Sequence, residues 1–293
     1  MIAFLFLIQT LRIAIPYLFA AMGGVISEKA GLIALSLEGY MLAGAFCAAL
    51  GAYYTDSAWL GVLAGMGGGM VMALIYAIAT VKFRADQVVI GIAVNLMAIG
   101  ATRFFLRLAF DTAANSPRVT GFGDRVSGAG AMALVLNPLF WMALGAVVFV
   151  YVLQYRTAFG LRARAVGEHP AAAVSVGIPV DRIRYIAALL SGAIAGLGGV
   201  YLALDQHKFS SEMTAGRGFI ALAATIFGRW HPRRAAIACL FFAAAETLQI
   251  QLQGRQLIPS QFIDMIPYLL TIIALAGIVG RVRPPAALGK VSD

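Results

Sequence analysis

Charged residues are scarce in this chain. Asp, Glu, Lys and Arg make up 12% of its 293 residues, about half of the roughly 25% that is usual in soluble domains. Hydrophobic residues make up 61%, and the mean hydropathy is +0.87. A water-soluble fold of this size could not bury so much apolar surface, so lipid is the expected solvent.

Groups for covalent or metal chemistry are also few. The two cysteines, Cys47 and Cys239, lie in separate apolar runs without a metal ligand at useful spacing, which favours structural thiols. The three histidines, His169, His207 and His231, fall in loops without paired ligands. The terminal ALGK lacks the first glycine of a phosphate-binding loop. The sequence therefore predicts no catalytic residue, no metal site and no cofactor bound by this chain.

Long apolar runs, by contrast, recur along the whole sequence. A helix needs about 20 apolar residues to cross a hydrocarbon core about 30 Å thick. The runs predict an all-α, polytopic transmembrane helical bundle that forms a single domain over residues 1–293. About nine spans are expected, with eight or ten left open because the seventh is short and contains Arg217. They lie at 4–25, 38–54, 59–81, 88–110, 136–155, 185–204, 213–227, 235–252 and 262–280.

The basic residues between these spans predict the orientation. The formal charge of +9 could suggest a nucleic-acid partner, but the cations lie in short loops, as is typical of membrane proteins. Cytoplasmic loops are enriched in Lys and Arg. If residues 160–184 are placed inside, fourteen cations fall inside and six outside, which predicts nine crossings with a cytoplasmic C-terminus. The inside set is Lys29, Lys82, Arg84, Arg156, Arg162, Arg164, Arg182, Arg184, Arg229, Arg233, Arg234, Arg281, Arg283 and Lys290.

The connector at residues 156–184 carries a short helix signal of its own. Pro170 suits a first helical turn, three alanines follow it, and Gly177 and Pro179 end the pattern. A short helix beneath a membrane bundle is a docking element. The connector therefore suggests that a partner moves this protein.

Four polar residues inside the predicted spans are candidates for lining a substrate path: Glu38, Asn95, Glu246 and Gln249. A charged group at the bilayer centre costs about 2.5–3.5 kcal/mol on insertion scales, so it must face protein or water. Glu246 and Gln249 are three residues apart and share a helix face. Hydrogen-bonding groups of this kind suit uncharged polyols and bases. The alternative is that each residue pairs with a neighbouring helix.

Two short phrases, GLIALS at 31–36 and GFIALA at 218–223, resemble each other and enter the membrane from opposite sides in this topology. Inverted repeats with broken helices often frame a transporter's substrate path. Chance likeness among six small and apolar residues is the alternative.

Five stretches resemble the permease subunits of bacterial ABC importers in the branched-chain amino acid and simple-sugar permease superfamily. They are KAGLIALSLEGYMLAGAF (29–46), ADQVVIGIAVNL (85–96), RAVGEHPAAAVSVGIPVDRIR (164–184), GRGFIALAATIFGRWHP (216–232) and IPSQFIDMIPYLLTIIALAGIVGR (258–281). The LEG phrase at 37–39 and the PSQ phrase at 259–261 resemble the shorter permease of nucleoside uptake systems. His169 departs from the family pattern, where Asn is common.

This resemblance implies a transport subunit in the bacterial plasma membrane that performs no chemistry itself. A cytoplasmic ABC ATPase would hold ATP and magnesium, a second, homologous permease would complete a heterodimer, and an extracytoplasmic binding lipoprotein would deliver substrate. The residues implied in ATPase coupling are Gly167, Glu168, His169, Pro170, Ala172 and Gly177. Simple sugars or branched-chain amino acids are alternative substrates. An ion-coupled secondary transporter and a membrane-embedded enzyme are the rival classes.

Overall fold

Helices account for most of the chain that the structure describes. The computed structural model describes residues 2–112, 114–122, 131–253 and 283–290. In these ranges no sheet is formed, and Asn115 and Ser210 make an isolated bridge. The helices are α1 (Ile2–Lys29), α2 (Leu37–Thr55), α3 (Ala58–Ala77, continued by a π turn over Ile78–Lys82), α4 (Gln87–Phe110), α5 (Ala131–Leu136), α6 (Pro138–Arg156), α7 (Ala158–Glu168), α8 (Pro170–Ser175), α9 (Val180–Asp205), α10 (Arg217–Phe227) and α11 (Pro232–Gln253).

Six of these helices are long and apolar enough to cross a membrane. They are Ala3–Lys29, Ala58–Lys82, Gln87–Phe110, Pro138–Arg156, Val180–Asp205 and Pro232–Gln253. The prediction of an all-α, multi-pass membrane protein is therefore confirmed.

The predicted count of nine spans stays a prediction. The second predicted span coincides with α2, whose 19 residues measure about 28 Å. The seventh does not form one continuous helix, because α10 has 11 residues and measures about 16 Å, roughly half the hydrocarbon core. The ninth, at 262–280, lies outside the described residues.

Helix α9 lies at the centre of the bundle, packed against α1, α2 and α3. Its most apolar stretch is 83% buried. Glycines let these backbones approach one another: a Cβ on Gly44 would lie 2.5 Å from the carbonyl oxygen of Gly196, and one on Gly69 would overlap the carbonyl oxygen of Gly192. Gly65 and Gly69 on α3 therefore allow close helix packing against α9.

The loops separate to two ends of the bundle. We call one the basic end, where Gly167 of the connector packs against Lys29 and the Arg164 guanidinium lies 4.9 Å from the Tyr155 ring centroid. At the opposite end, Arg12 pairs with Asp205 at 3.3 Å. Among the described residues, the loops predicted to lie inside thus share one end, and the predicted outside loops around residues 111–122 and 206–212 share the other.

Candidate functional site

The connector folds into two helices that meet at a corner. Thr157 caps α7 by accepting a hydrogen bond from the Gly160 N–H at 3.2 Å. Helix α7 was not predicted, although its buried residues Gly160, Ala163, Val166 and Gly167 recur at helical spacing. The corner lies at residues 168–170, directly beneath the end of α1.

The predicted short helix is confirmed as α8. His169 precedes it without forming a side-chain cap, and Pro170 occupies its first turn. The His169 carbonyl accepts a hydrogen bond from the Ala173 N–H at 3.0 Å. Gly177 then adopts a left-handed φ of 79° and ends the helix. Pro170, Ala172 and Gly177 therefore serve the local geometry that the sequence pattern predicts.

Helix α8 exposes apolar side chains at the basic end. Val174 on α8 is 62% exposed and Val176, the residue directly after α8, is 74% exposed, whereas Ala173, which precedes both, is buried. Leu161 on α7 is 63% exposed. These apolar side chains are therefore available for contact at the basic end of the bundle.

His231, at this end, has a pKa that is lowered by burial and by nearby cations. Burial is the main cause, and the charges of Arg234, Arg233 and Lys29 add to it. The ring of His231 lies 5.2 Å from that of Tyr155. The imidazole is thus kept neutral beside a strongly basic surface.

A second group of polar residues surrounds the non-helical segment between α1 and α2. We call residues 30–36 the break. Glu28 accepts a hydrogen bond from the Ala34 N–H at 3.2 Å and another from the Trp230 indole N–H. The Tyr76 hydroxyl donates to the Ile33 carbonyl at 2.8 Å. Side chains thus satisfy backbone groups that the interrupted helix leaves free.

Two amides on α4 extend this network. Gln87 accepts from the Ile33 N–H at 2.8 Å and donates to the Gly31 carbonyl at 3.3 Å. About two turns further along α4, Asn95 accepts from the Gly39 N–H at 2.8 Å and donates to the Leu35 carbonyl, also at 2.8 Å. Both amides are buried. The structure therefore gives Asn95 protein partners on both sides of its amide.

Glu38 joins the break to the start of α10. Its two carboxylate oxygens accept hydrogen bonds from the Gly216 N–H at 2.8 Å and the Gly218 N–H at 2.6 Å. Glu38 is 8% exposed. A carboxylate at a helix N-terminus satisfies free N–H groups and complements the helix dipole. Glu38 therefore holds two interrupted elements together inside the bundle.

Glu246 forms the third member of this polar interior. It pairs with Arg217 at 3.3 Å and accepts a hydrogen bond from the Tyr17 hydroxyl. The Arg217 and Glu246 side chains are 23% and 21% exposed. Gln249 lies three residues further along α11 and is half-buried. The predicted four thus separate into two buried residues that bond the backbone, Glu38 and Asn95, and two more accessible residues on α11, Glu246 and Gln249.

The two similar phrases have different backbones. Residues 31–36 lie in the non-helical break, whereas residues 218–223 lie within α10. Their equivalence as an inverted repeat stays a prediction. Residues 31–36 separate α1 from α2, and the Glu38 carboxylate links the first turn of α2 to the start of α10.

Sequence reasoning missed Glu28, Gln87, Tyr76 and Trp230. Asp86 caps α4 by accepting from the Val88 and Val89 N–H groups, and Gln87 is the first residue of that helix. A polar residue in the first turn of a predicted span was the signal that could have identified Gln87. Their partners are distant in sequence and could not be assigned from it. Among the described residues, no group of three or more His, Cys, Asp or Glu side chains could hold a metal ion.

Replacing Glu38 with Gln should destabilise the bundle by about 1–3 kcal/mol, because an amide NH2 would face a backbone N–H that needs an acceptor. The melting temperature in detergent should fall accordingly. Glu212→Gln is the control, since Glu212 forms an exposed pair with Arg103 at the opposite end and should leave the melting temperature nearly unchanged. Equal melting temperatures for the two variants would contradict the capping role of Glu38.

Comparisons with known proteins agree on the class of this chain. Residues 6–275 match the family described as branched-chain amino acid transport system / permease component. The chain is 39% identical to the guanosine ABC transporter permease protein NupQ of Bacillus subtilis (strain 168), over 96% of this chain and 93% of that protein. It is 36% identical to the nucleoside ABC transporter permease protein NupC of Lactococcus lactis subsp. cremoris (strain MG1363), over 94% and 92%.

A sugar-transport relative is also similar. The chain is 33% identical to the putative glucose ABC transporter permease protein TsgC13 of Haloferax volcanii, over 85% of this chain and 78% of that protein. No solved structure matches the chain.

Proposed function

The chain belongs to the permease component family of branched-chain amino acid transport systems, and from this membership we propose that it is the membrane-spanning permease subunit of an ATP-driven ABC importer for nucleosides. The observation that carries the proposal is its similarity over nearly its full length to two permeases named for guanosine and nucleoside transport. The chain forms part of the translocation path and couples to a separate ATPase, which binds ATP and magnesium. The permease itself carries out no chemistry and binds no cofactor.

Helix α8 is the element through which the ATPase acts. Its exposed Val174 and Val176 provide an apolar contact at the basic end. The preference of Lys and Arg for cytoplasmic loops supports placing this end, and with it the C-terminus, in the cytoplasm of a nine-crossing protein. ATP-driven closure of the ATPase moves α8 and shifts the bundle between outward-open and inward-open packings.

The path-lining role belongs to the accessible pair on α11. Glu246 retains partial exposure although it is paired with Arg217 of α10, and Gln249 continues the same face of α11. Glu38 and Asn95 serve the path indirectly, because their polar atoms bond the backbone of α2, α10 and the break. A path lined by few polar groups binds its substrate weakly and can release it. Selectivity therefore rests mainly with an extracytoplasmic binding lipoprotein.

A second, homologous permease completes the path. This heterodimer follows from the resemblance to the shorter permease of nucleoside systems. Several helices expose apolar side chains along their length, which either lipid or a second permease could cover; Leu96, Phe104 and Val148 are examples.

Deleting the gene for this chain should lower uptake of radiolabelled guanosine by intact cells about tenfold or more, because the cells would lose their main transport route. A plasmid copy should restore uptake. Glucose and leucine uptake, measured in the same cells, should stay within about twofold of the parent strain.

The second candidate function is a sugar permease, which the similarity to TsgC13 favours. It would be supported if the deletion removed glucose uptake and left guanosine uptake intact. An ion-coupled transporter would instead continue to work without the ATPase and stop when the proton gradient is collapsed.

A further inference from the structure

The described C-terminal residues form an ordered segment on the connector. We call residues 283–290 the C-terminal segment. The Ala287 N–H donates to the Gly167 carbonyl at 2.9 Å, and the Ala286 N–H donates to the Glu168 carboxylate at 3.3 Å. Ala287 is 2% exposed, whereas the side chain of the preceding Ala286 is exposed. The segment is thus anchored at the corner between α7 and α8.

The other side of the segment contacts the break. A Cβ on Gly31 would lie 3.3 Å from the Ala287 carbonyl oxygen. A Cβ on Gly289 would lie 2.8 Å from the Ile33 Cδ1 atom. Both glycines have left-handed φ angles, 84° and 75°, which residues other than glycine rarely adopt. The segment therefore fills the space between the connector and the break.

The segment also forms one wall of an open groove at the basic end. The groove has a volume of about 970 Å³. Helix α8 and the first turn of α9 form its other walls. Its charged lining includes Arg84, Arg182 and Lys290 together with Glu168 and Asp181.

We propose that the C-terminal segment is a positioning element that transmits movement of α8 to the break. This inference rests on the proposed function, since it requires an ATPase that moves α8. A shift of the α7–α8 corner carries Ala286 and Ala287 with it through two hydrogen bonds. The segment then presses on Gly31 and Ile33, with which it is in close contact.

From the break, a continuous series of contacts leads into the interior. Gln87 bonds the backbone of Gly31 and Ile33. Asn95 bonds Leu35 and Gly39. Glu38, between those residues, caps α10, whose first residue Arg217 pairs with Glu246. Packed contacts of this kind transmit coupling where the element has two discrete arrangements, here the two openings of the bundle.

The adjacent alanines supply a matched pair of variants. Ala287→Gln places a polar side chain in the buried contact with Gly31 and Gly167, whereas Ala286→Gln places the same side chain at an exposed position. Each would be purified with its partner permease and ATPase and reconstituted with the binding protein. Three quantities would be measured: the ATPase retained, ATP hydrolysed and guanosine taken up.

Ala287→Gln should lower guanosine uptake per ATP hydrolysed about tenfold, while retained ATPase stays within about twofold of the parent complex. Ala286→Gln should match the parent complex in all three quantities. If Ala287→Gln does not assemble, a chain lacking residues 283–293 replaces it, and the same fall in the ratio is expected because no misplaced side chain remains.

Two results would overturn the inference. One is an unchanged ratio of uptake to hydrolysis in Ala287→Gln or, where it does not assemble, in the shortened chain. The other is loss of the ATPase itself, which would make the segment part of the docking surface instead. Failure of the proposed function is distinguishable, because then the parent complex would neither retain an ATPase nor take up guanosine.

Discussion

A chain carrying Val174→Asp and Val176→Asp is expected to lose its ATPase partner. Both side chains are largely exposed in the isolated subunit and become buried in the proposed interface. Burying an apolar side chain of this size contributes about 1.5 kcal/mol or more. Two carboxylates would remove that contribution, and burying them in the interface would be unfavourable. The affinity of the permease for the ATPase should therefore fall about 100-fold, equivalent to about 3 kcal/mol.

Co-purification of the ATPase with the tagged permease is the measurement. Asn115→Asp is the control, because it introduces a carboxylate at an exposed residue of the opposite end and hardly changes the size of the side chain. The control should retain the ATPase fully. Retention of the ATPase by the Val174 and Val176 variant would place the docking surface elsewhere on the subunit.

Gly69→Leu is expected to prevent assembly of the bundle. A Cβ at this position would overlap the Gly192 carbonyl oxygen on α9, and the second nearest atoms are also backbone. Backbone cannot change rotamer to make room, so α3 and α9 must separate. The loss of stability should reach or exceed the upper end of the usual range for overpacked cores, about 3 kcal/mol.

The matched variant lies two residues earlier on the same helix. A Cβ on Gly67 would have no heavy atom within 4 Å, so Gly67→Leu should insert and purify normally. The measurements are yield of monodisperse protein and melting temperature in detergent. Similar yields and melting temperatures for the two variants would show that α3 and α9 do not approach as closely as described.

Local sequence patterns predicted much of this architecture. The apolar runs located the six long helices because crossing lipid requires an uninterrupted apolar length. The sequence Pro170 to Gly177 predicted α8, because Pro170 marks the first turn of the short helix and Gly177 lies just after its end. Segregation of basic loops to one end followed from charge alone.

The polar interior was harder to predict, for a physical reason. Hydropathy identifies Glu38 and Asn95 as costly groups within spans, but it does not reveal whether such a group faces water or backbone. The partners of Glu38 are 178 and 180 residues away. Only the folded arrangement brings Gly216 and Gly218 to its carboxylate. The contacts of the C-terminal segment are equally distant in sequence and were likewise not predicted.

Coupling to the ATPase requires the connector to lie on the side of the membrane that holds ATP. This placement is tested by labelling a single cysteine at position 169, in a chain with Cys47→Ala and Cys239→Ala, expressed without the ATPase. A membrane-impermeant maleimide should leave His169→Cys unlabelled in intact cells and label it in inside-out vesicles. Asn115→Cys, at the opposite end, should show the reverse. Labelling of His169→Cys in intact cells would place α8 outside and contradict coupling to a cytoplasmic ATPase.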